Sequence, residues 1–186
     1  MNEFLQSALY SIPVSGGPAK RLTIGVNSAP TFSPDGRRMA FIRRNATLKE
    51  ASLILSNDDG TAEQTLATVK FPTVFYFPSW SPDGKLIALG QRSLDAKGYY
   101  AEAIMIHVDG GKIETLTQRR WPELVAVKWL GDGTGILAMA VDRQEAPMQL
   151  WEIGYPGGKA RNVTEDSNNY AYWALSTTAD SSQILL

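Results

Sequence analysis

The chain is 186 residues long, with 18 basic side chains against 19 acidic ones and a net charge of −1. That is enough for one domain with a sizeable core, and the near-balance of charge argues against a strongly electrostatic nucleic-acid binder. No cysteine is present, which excludes disulfides and thiolate metal sites, and no apolar run is long enough for a signal h-region or a membrane span.

Taken in order, Met1-Asn2-Glu3-Phe4 carries an acid and no basic n-region, and Asn2 to Leu9 is expected to be a loop. If the protein is exported, its signal is expected to lie outside this chain. The run Leu9 to Val14 reads as a strand, then comes the turn Ser15-Gly16-Gly17 and a short strand ending near Leu22. This hairpin recurs. Ser52-Leu53-Ile54-Leu55 precedes Asp58-Asp59-Gly60, Ala103-Ile104-Met105-Ile106 precedes Asp109-Gly110-Gly111, and Leu150-Trp151-Glu152-Ile153 precedes Pro156-Gly157-Gly158. Each hairpin ends in a Leu-Thr-like pair: Leu22-Thr23, Leu66-Ala67, Leu116-Thr117 and Val163-Thr164.

A second hairpin signal alternates with the first. Ser33-Pro34-Asp35-Gly36 returns as Ser81-Pro82-Asp83-Gly84, then as Leu130-Gly131-Asp132-Gly133, and in degraded form as Thr178-Ala179-Asp180-Ser181. The aspartates are 48, 49 and 48 residues apart. Asp bonds its own backbone nearby and Gly tolerates positive φ, so Asp35-Gly36, Asp83-Gly84 and Asp132-Gly133 are assigned to structural turns. Four residues beyond each aspartate sits Met39, Ile87, Ile136 or Ile184, and three residues before it sits Phe32, Trp80 or Trp129, with Thr177 breaking the series. Each unit therefore holds two hairpins, or four strands labelled A to D. Four short strands in roughly 40–50 residues is the blade of a β-propeller. No segment has a convincing helical period.

The expected fold is all-β: a β-propeller of four-stranded antiparallel blades. It comprises a half-blade at 1–23, complete blades at 28–67, 77–117 and 124–164, and a half-blade at 172–186. The pattern of an aromatic, Ser-Pro-Asp-Gly-Lys/Arg, an apolar run, a Gly-Gly hairpin and Leu-Thr resembles the TolB-type, WD-like propeller repeat. The stretch Leu150 to Gly158, with Asn168-Asn169-Tyr170 and Thr178-Ala179-Asp180, is also similar to propellers attached to bacterial eukaryotic-like serine/threonine kinases. The first resemblance implies a periplasmic or extracytoplasmic bacterial protein. The two half-blades either pair to close a four-bladed ring or belong to an arc of a longer propeller. TolB-like propellers are usually larger rings, which favours the arc, as does the apolar end Ile184-Leu185-Leu186.

Strands A and C run the same way, so the A–B and C–D turns share one face and the B–C and D–A connections share the other. The first face is short and Gly-rich. The second is expected to carry longer loops: Phe71, Phe75 and Tyr76 in one D–A loop, Gln118, Arg119, Arg120 and Trp121 in the next, Asn168, Asn169 and Tyr170 in the last, and Tyr99 and Tyr100 in a B–C loop. Function concentrates on loops held by a rigid scaffold, and aromatic and Arg side chains are favoured at interfaces. A binding surface for a protein, peptide or small ligand is expected there. The plainer reading is that these aromatics cap the core between blades.

No chemistry stands out. The repeated aspartates read as turn residues, because calcium needs about 6–8 converging oxygens and one carboxylate per blade does not converge. Asp58-Asp59-Gly60-Thr61 lacks the later acids of a calcium loop. His107, the single histidine, reads as a strand residue, and there is no Gly-x-Ser-x-Gly elbow, phosphate loop or kinase catalytic motif. Arg43-Arg44 and Arg119-Arg120 read as solvated loop pairs. No cofactor, metal or catalytic residue is expected, and the chain alone is not expected to be an enzyme. Two functions are in view. One is a non-catalytic binding or sensing propeller within a larger TolB-like protein or receptor kinase. The other is the substrate-gating propeller of a peptidase resembling the prolyl oligopeptidase family.

Overall fold

The computed structural model describes residues 7–164, 166–170, 175–178 and 183–185. In it each Asp-Gly stretch closes a tight turn by one recurring device. The Ser33 hydroxyl donates to Asp35 Oδ1 at 2.6 Å and accepts the Arg38 N–H at 2.9 Å, while Asp35 Oδ1 also accepts the Arg37 N–H at 3.1 Å. The second copy repeats this: Ser81 Oγ donates to Asp83 Oδ1 at 2.7 Å, the Leu86 N–H donates to Ser81 Oγ at 2.9 Å, and the Lys85 N–H donates to Asp83 Oδ1 at 3.0 Å. Gly36 and Gly84, at φ +69° and +75°, make the left-handed step. The third copy has Leu130 in place of the serine. There Thr134 supplies the hydroxyl from the other side of the turn, donating its O–H to Asp132 Oδ1 at 2.7 Å and its N–H at 3.0 Å. Asp180 of the fourth copy lies outside the described residues.

Around these turns three sheets form. The first joins β3 (Thr31–Phe32), β4 (Arg38–Asn45), β5 (Glu50–Asn57) and β6 (Gln64–Lys70) in that order. The second joins β7 (Val74–Phe75) and β8 (Ser79–Trp80), both paired to β9 (Leu86–Asp95), then β10 (Gly98–His107) and β11 (Ile113–Thr115). The third joins β12 (Glu123–Trp129), β13 (Gly135–Val141), β14 (Met148–Gly154) and β15 (Ala160–Asn162). All pairings are antiparallel. Two further hairpins, β1 (Ala8–Ser11) with β2 (Lys20–Ile24) and β16 (Ser176–Thr177) with β17 (Ile184–Leu185), remain separate two-stranded sheets. The architecture is that of β-propeller blades, as the repeat implied. Blade edges differ slightly from those expected: β6 runs on to Lys70, β7 starts at Val74 and β12 starts at Glu123.

Blade 2 departs from the repeat by growing a second tier. Its A strand is split at Pro78, which offers no N–H, into β8 against Ile87 and Ala88 and β7 against Gln91 and Arg92. On the far side Trp121 pairs with Ala101, exchanging N–H···O bonds of 2.7 and 2.9 Å. The β9–β10 ribbon therefore stands taller than its neighbours, with only Ala96 and Lys97 between its strands.

Apolar residues alternate to both faces of each blade, so the cores lie in the seams. Ile42, Leu53, Leu55, Phe75, Ile87, Leu89 and Ile104 fill the seam between blades 1 and 2. Met105, Trp121, Leu124, Trp129 and Trp151 fill that between blades 2 and 3. Leu9 and Leu22 pack on blade 1 beside Met39 and Phe41, and Leu175 and Ile184 pack on blade 3. A fully buried side chain of this kind contributes about 1.5–3 kcal/mol.

Two backbone devices set the seams. Thr31 Oγ1 accepts the Trp80 N–H at 3.2 Å, and Ser79 Oγ accepts the Trp129 N–H at 2.9 Å, so each inner strand holds the next. At the outer edge the C–D turn glycine of one blade lies against the D strand of the blade before it. A β-carbon on Gly60, Gly111 or Gly158 would stand 2.6, 2.0 or 1.9 Å from the carbonyl oxygens of Leu22, Leu66 and Leu116. The Gly-Gly hairpin and the Leu-Thr pair are thus the two halves of one contact.

Candidate binding face

Because neighbouring strands are antiparallel, the B–C and D–A connections do share a face. The tall β9–β10 ribbon dominates it. Tyr99 and Tyr100, expected in a B–C loop, lie instead inside β10, opposite Leu94 and Ser93. The loop expectation fails because the strands continue two or three residues further than in the neighbouring blades, up to a two-residue connection.

Arg92, Leu94 and Tyr99 project from one face of this ribbon, since Arg92 is opposite Ala101 and Leu94 opposite Tyr99. The Arg92 guanidinium lies 5.0 Å from the Tyr99 ring centre and 6.0 Å from that of Tyr76. Arg120 stacks on Tyr100 at 3.8 Å and pairs with Asp95 at 2.9 Å. Arg119 sits over Trp151 at 4.3 Å and Trp121 at 5.5 Å, and pairs with Asp142. The two indoles meet edge to face, 6.1 Å apart at 71°. Each cation–π contact of this exposure contributes about 0.5–1 kcal/mol. Together they hold three guanidinium groups in fixed orientations across the rim of blades 2 and 3.

The residues expected at the site divide into four groups. Tyr76 and Tyr99 are brought together by Arg92 on one face of the ribbon, while on the other face Tyr100 meets Arg120, the neighbour of Arg119. Phe75 and Trp121 are core residues, 0% and 1% exposed. Phe75 is in β7 rather than a loop, because the second tier of blade 2 extends the sheet to it. Phe71, 58% exposed, stands apart on the same face. It borders a cavity of about 510 Å³ with Asn27, Arg44, Ala46 and Val74 between the B–C connection of blade 1 and the start of blade 2. Asn168, Asn169 and Tyr170 hold a connection in place. Asn169 Oδ1 accepts the Met148 N–H at 2.8 Å, the Asn168 carbonyl accepts from Gln149 Nε2 at 2.6 Å, and the Tyr170 hydroxyl donates to Asp166 at 2.7 Å.

Arg92, Asp95, Asp142 and Trp151 belong to the cluster and were not singled out in the sequence. Arg92 and Trp151 are inside strands, where an isolated Arg or Trp carries no local signal. The counter-charges Asp95 and Asp142 lie 25 and 23 residues from the arginines they meet. Arg43 is likewise not a solvated loop residue. It lies in β4 and reaches Glu63 at 2.7 Å and the Ile24 carbonyl at 2.8 Å, tying the first hairpin to blade 1, and its hydrogen bond holds the Glu63 carboxyl below the usual range. His107 ends β10 and meets Glu114 at 3.0 Å. Lys112 first, then His107, hydrogen-bond Glu114 and hold its carboxyl down at about 2. Among the described residues no three His, Asp or Glu side chains gather as a metal site would need, and no helix is long and apolar enough to cross a membrane.

No family model matches the chain. Over 156 residues it is 28% identical to dipeptidyl-peptidase 5 of Porphyromonas gingivalis, an alignment that takes in 78% of this chain and 22% of that protein. Among solved structures it is similar to TolB from Acinetobacter baumannii, with a TM-score of 0.75 and 18% identity over 96% of this chain and 42% of that one. It is also similar to dipeptidyl peptidase 4 of Porphyromonas gingivalis, with a TM-score of 0.61 and 16% identity over 94% and 31% of the two chains. The β-propeller domain of the trilobed protease from Pyrococcus furiosus gives a TM-score of 0.57 and 13% identity over 93% and 52%. The chain thus spans about a fifth of its curated relative and less than half of the TolB chain. At these identities the likeness is one of fold, and that fold is the TolB-like β-propeller.

Proposed function

We propose that this chain is a non-catalytic recognition module, and that the face carrying the β9–β10 ribbon binds a protein or peptide as part of a larger bacterial protein. The observation that carries the reading is the arginine–aromatic cluster. Tyr99 is 51% exposed and Leu94 46%, beside the Arg92 guanidinium on one face of a rigid ribbon, while Arg120 on the other face and Arg119 over Trp151 are held by rings and carboxylates. Aromatic and Arg side chains held in place lose little entropy on contact, which is what interface anchors require. A peptide library displayed on phage and selected on the immobilised chain tests this. Selected peptides should bind at least about tenfold more weakly to Tyr99→Ala and Arg120→Ala, as anchor residues do. Peptides that bind both variants as tightly as the unaltered chain would place recognition elsewhere.

The match to dipeptidyl-peptidase 5 supports a second reading, in which the module gates substrate entry to a prolyl-oligopeptidase-like serine peptidase domain encoded in the same protein. The discriminating observation is the coding sequence downstream. A Gly-x-Ser-x-Gly elbow there selects the gating role, and a further run of blades without one selects the binding role. The kinase-linked resemblance gains no support from these relatives.

A further inference from the structure

The opposite face, where the Asp-Gly turns lie, holds a cavity of about 220 Å³ in the seam between blades 2 and 3. Trp129 and Tyr155 form its aromatic wall, meeting edge to face at 5.3 Å. Asp83 and Asp132, from two successive blades, stand at its rim, and Leu86 lines it too. The hydrogen bonds that hold the turns all fall on Oδ1 of these two aspartates. Neither carboxylate makes an ion pair among the described residues, and Trp129 Nε1 is buried with no hydrogen-bond partner. The Asp83 and Asp132 carboxyls are held below the usual range by their Ser81 and Thr134 hydrogen bonds, so both are anions at neutral pH.

The molecule itself shows what fits such a place. The repeat aligns Asp35 with Asp83 and Asp83 with Asp132, hence Trp80 with Trp129 and Arg38 with Leu86. One blade earlier, the Arg38 guanidinium lies 5.3 Å from the ring centre of Trp80, within the field of Asp35. The seam between blades 1 and 2 therefore contains its own cation. The seam between blades 2 and 3 keeps the ring and the two carboxylates, has a leucine in the position of the arginine, and leaves a space.

We propose that this seam is a binding subsite for the arginine side chain of a partner polypeptide, which takes over Trp129, Asp83 and Asp132 the place that Arg38 holds over Trp80. A planar guanidinium both stacks on an aromatic face and presents parallel N–H donors to carboxylates, which a lysine ammonium does not. Two monodentate carboxylates are too few for a calcium ion, which takes about 6–8 oxygens. The site lies on the other side of the propeller from the arginine–aromatic face, so it stands or falls independently of the function proposed above.

The chain labelled with ¹⁵N at its indoles provides the test, with the Trp129 Nε1–H resonance assigned by Trp129→Phe. Titration with a blocked Gly-Arg-Gly tripeptide should shift the Trp129 signal saturably and leave that of Trp80 in place. The Gly-citrulline-Gly isostere, neutral and of the same shape, should not shift it. Asp132→Asn keeps an oxygen acceptor for Thr134 and removes the charge, and should weaken binding at least fivefold. Leu86→Arg should abolish binding by filling the site from within; if that variant does not fold, Asp132→Asn still decides. The tripeptide should bind at least threefold more tightly than guanidinium ion at equal ionic strength. Equal affinities would overturn a polypeptide arginine as the occupant. An unmoved Trp129 signal, an equal response to citrulline, or unchanged affinity in Asp132→Asn would overturn the site altogether.

Discussion

Gly158 lies so close to the Leu116 carbonyl that a β-carbon on it would stand 1.9 Å from the oxygen and 2.8 Å from the Thr117 Cα. No rotamer relieves this, because both neighbours are backbone. Gly158→Ala should therefore cost about 3 kcal/mol or more, combining the left-handed φ of +66° with forced opening of the seam. Gly133 is the control. It has φ +73° but open space around its β-position, so Gly133→Ala should cost only the local conformational term of about 1–2 kcal/mol. Urea unfolding of the two variants separates them, and equal losses would mean that the carbonyl contact is unimportant.

The turn hydroxyls allow a second comparison. Ser81 is 2% exposed and its oxygen is the acceptor for the Leu86 N–H. Ser81→Ala leaves that amide without its partner and should cost about 1–3 kcal/mol. Thr134 makes its bonds to Asp132 at the exposed surface, where water replaces them. Thr134→Val should cost less than about 1 kcal/mol. A larger loss for Thr134→Val than for Ser81→Ala in denaturant melts would contradict the account of the turn.

The blade pattern was legible in the sequence because its determinants are local. Asp83-Gly84 must turn, and Leu86 to Leu89 must then extend. The seams were only half legible. The sequence displays the glycines and the Leu-Thr pairs as separate regularities; that Gly111 rests on Leu66 is a relation between blades, about 45 residues apart. The candidate face was legible by residue type but not by geometry. Phe75 and Trp121 look like their neighbours Tyr76 and Arg120 in a loop-like stretch, and only the added tier of blade 2 assigns the first pair to the core. Arg92 had no signal at all, since its ring partners Tyr76 and Tyr99 come from another strand and a connection.

That division between core and face has a measurable form. Phe75→Ala and Trp121→Ala each empty a fully buried site and should cost about 3–5 kcal/mol. Tyr99→Ala removes a half-exposed ring and should stay within about 1 kcal/mol. If Tyr99→Ala unfolds the chain as readily as Trp121→Ala, Tyr99 serves the scaffold and not a partner.

Acid should loosen the turns first. Hydrogen bonds from Ser33, Ser81 and the Thr134 amide hold Asp35, Asp83 and Asp132 below 3.8, and Lys112 and His107 bring Glu114 from 4.5 to about 2. A carboxyl whose folded value lies below its unfolded one favours the folded state fully above the unfolded value, and that advantage is lost as pH falls through the folded value. The urea midpoint should therefore not vary with pH through these groups near neutrality, where their stabilisation is fully present, and should fall steadily once pH drops below about 4–5. Lys112→Met should raise the Glu114 midpoint toward 4.5, read directly from its side-chain carbonyl resonance. A Glu114 titration unchanged by that substitution would show that the lysine does not reach it in solution.

The inner hydroxyl and the outer glycine contact share a direction: Thr31 and Ser79 accept from the blade that follows, and Gly111 and Gly158 rest on the blade that precedes. Blades 1 and 2 thus each carry one socket toward the next unit, and blades 1 to 3 each carry one plug toward the one before. Such head-to-tail joints have no built-in stopping point. A gene encoding this repeat can gain or lose a unit by duplication or deletion without inventing a new interface, provided the register of about 48 residues is kept. Ring size in such a lineage is then free to change in steps of one blade, while the loops on either face diverge unit by unit.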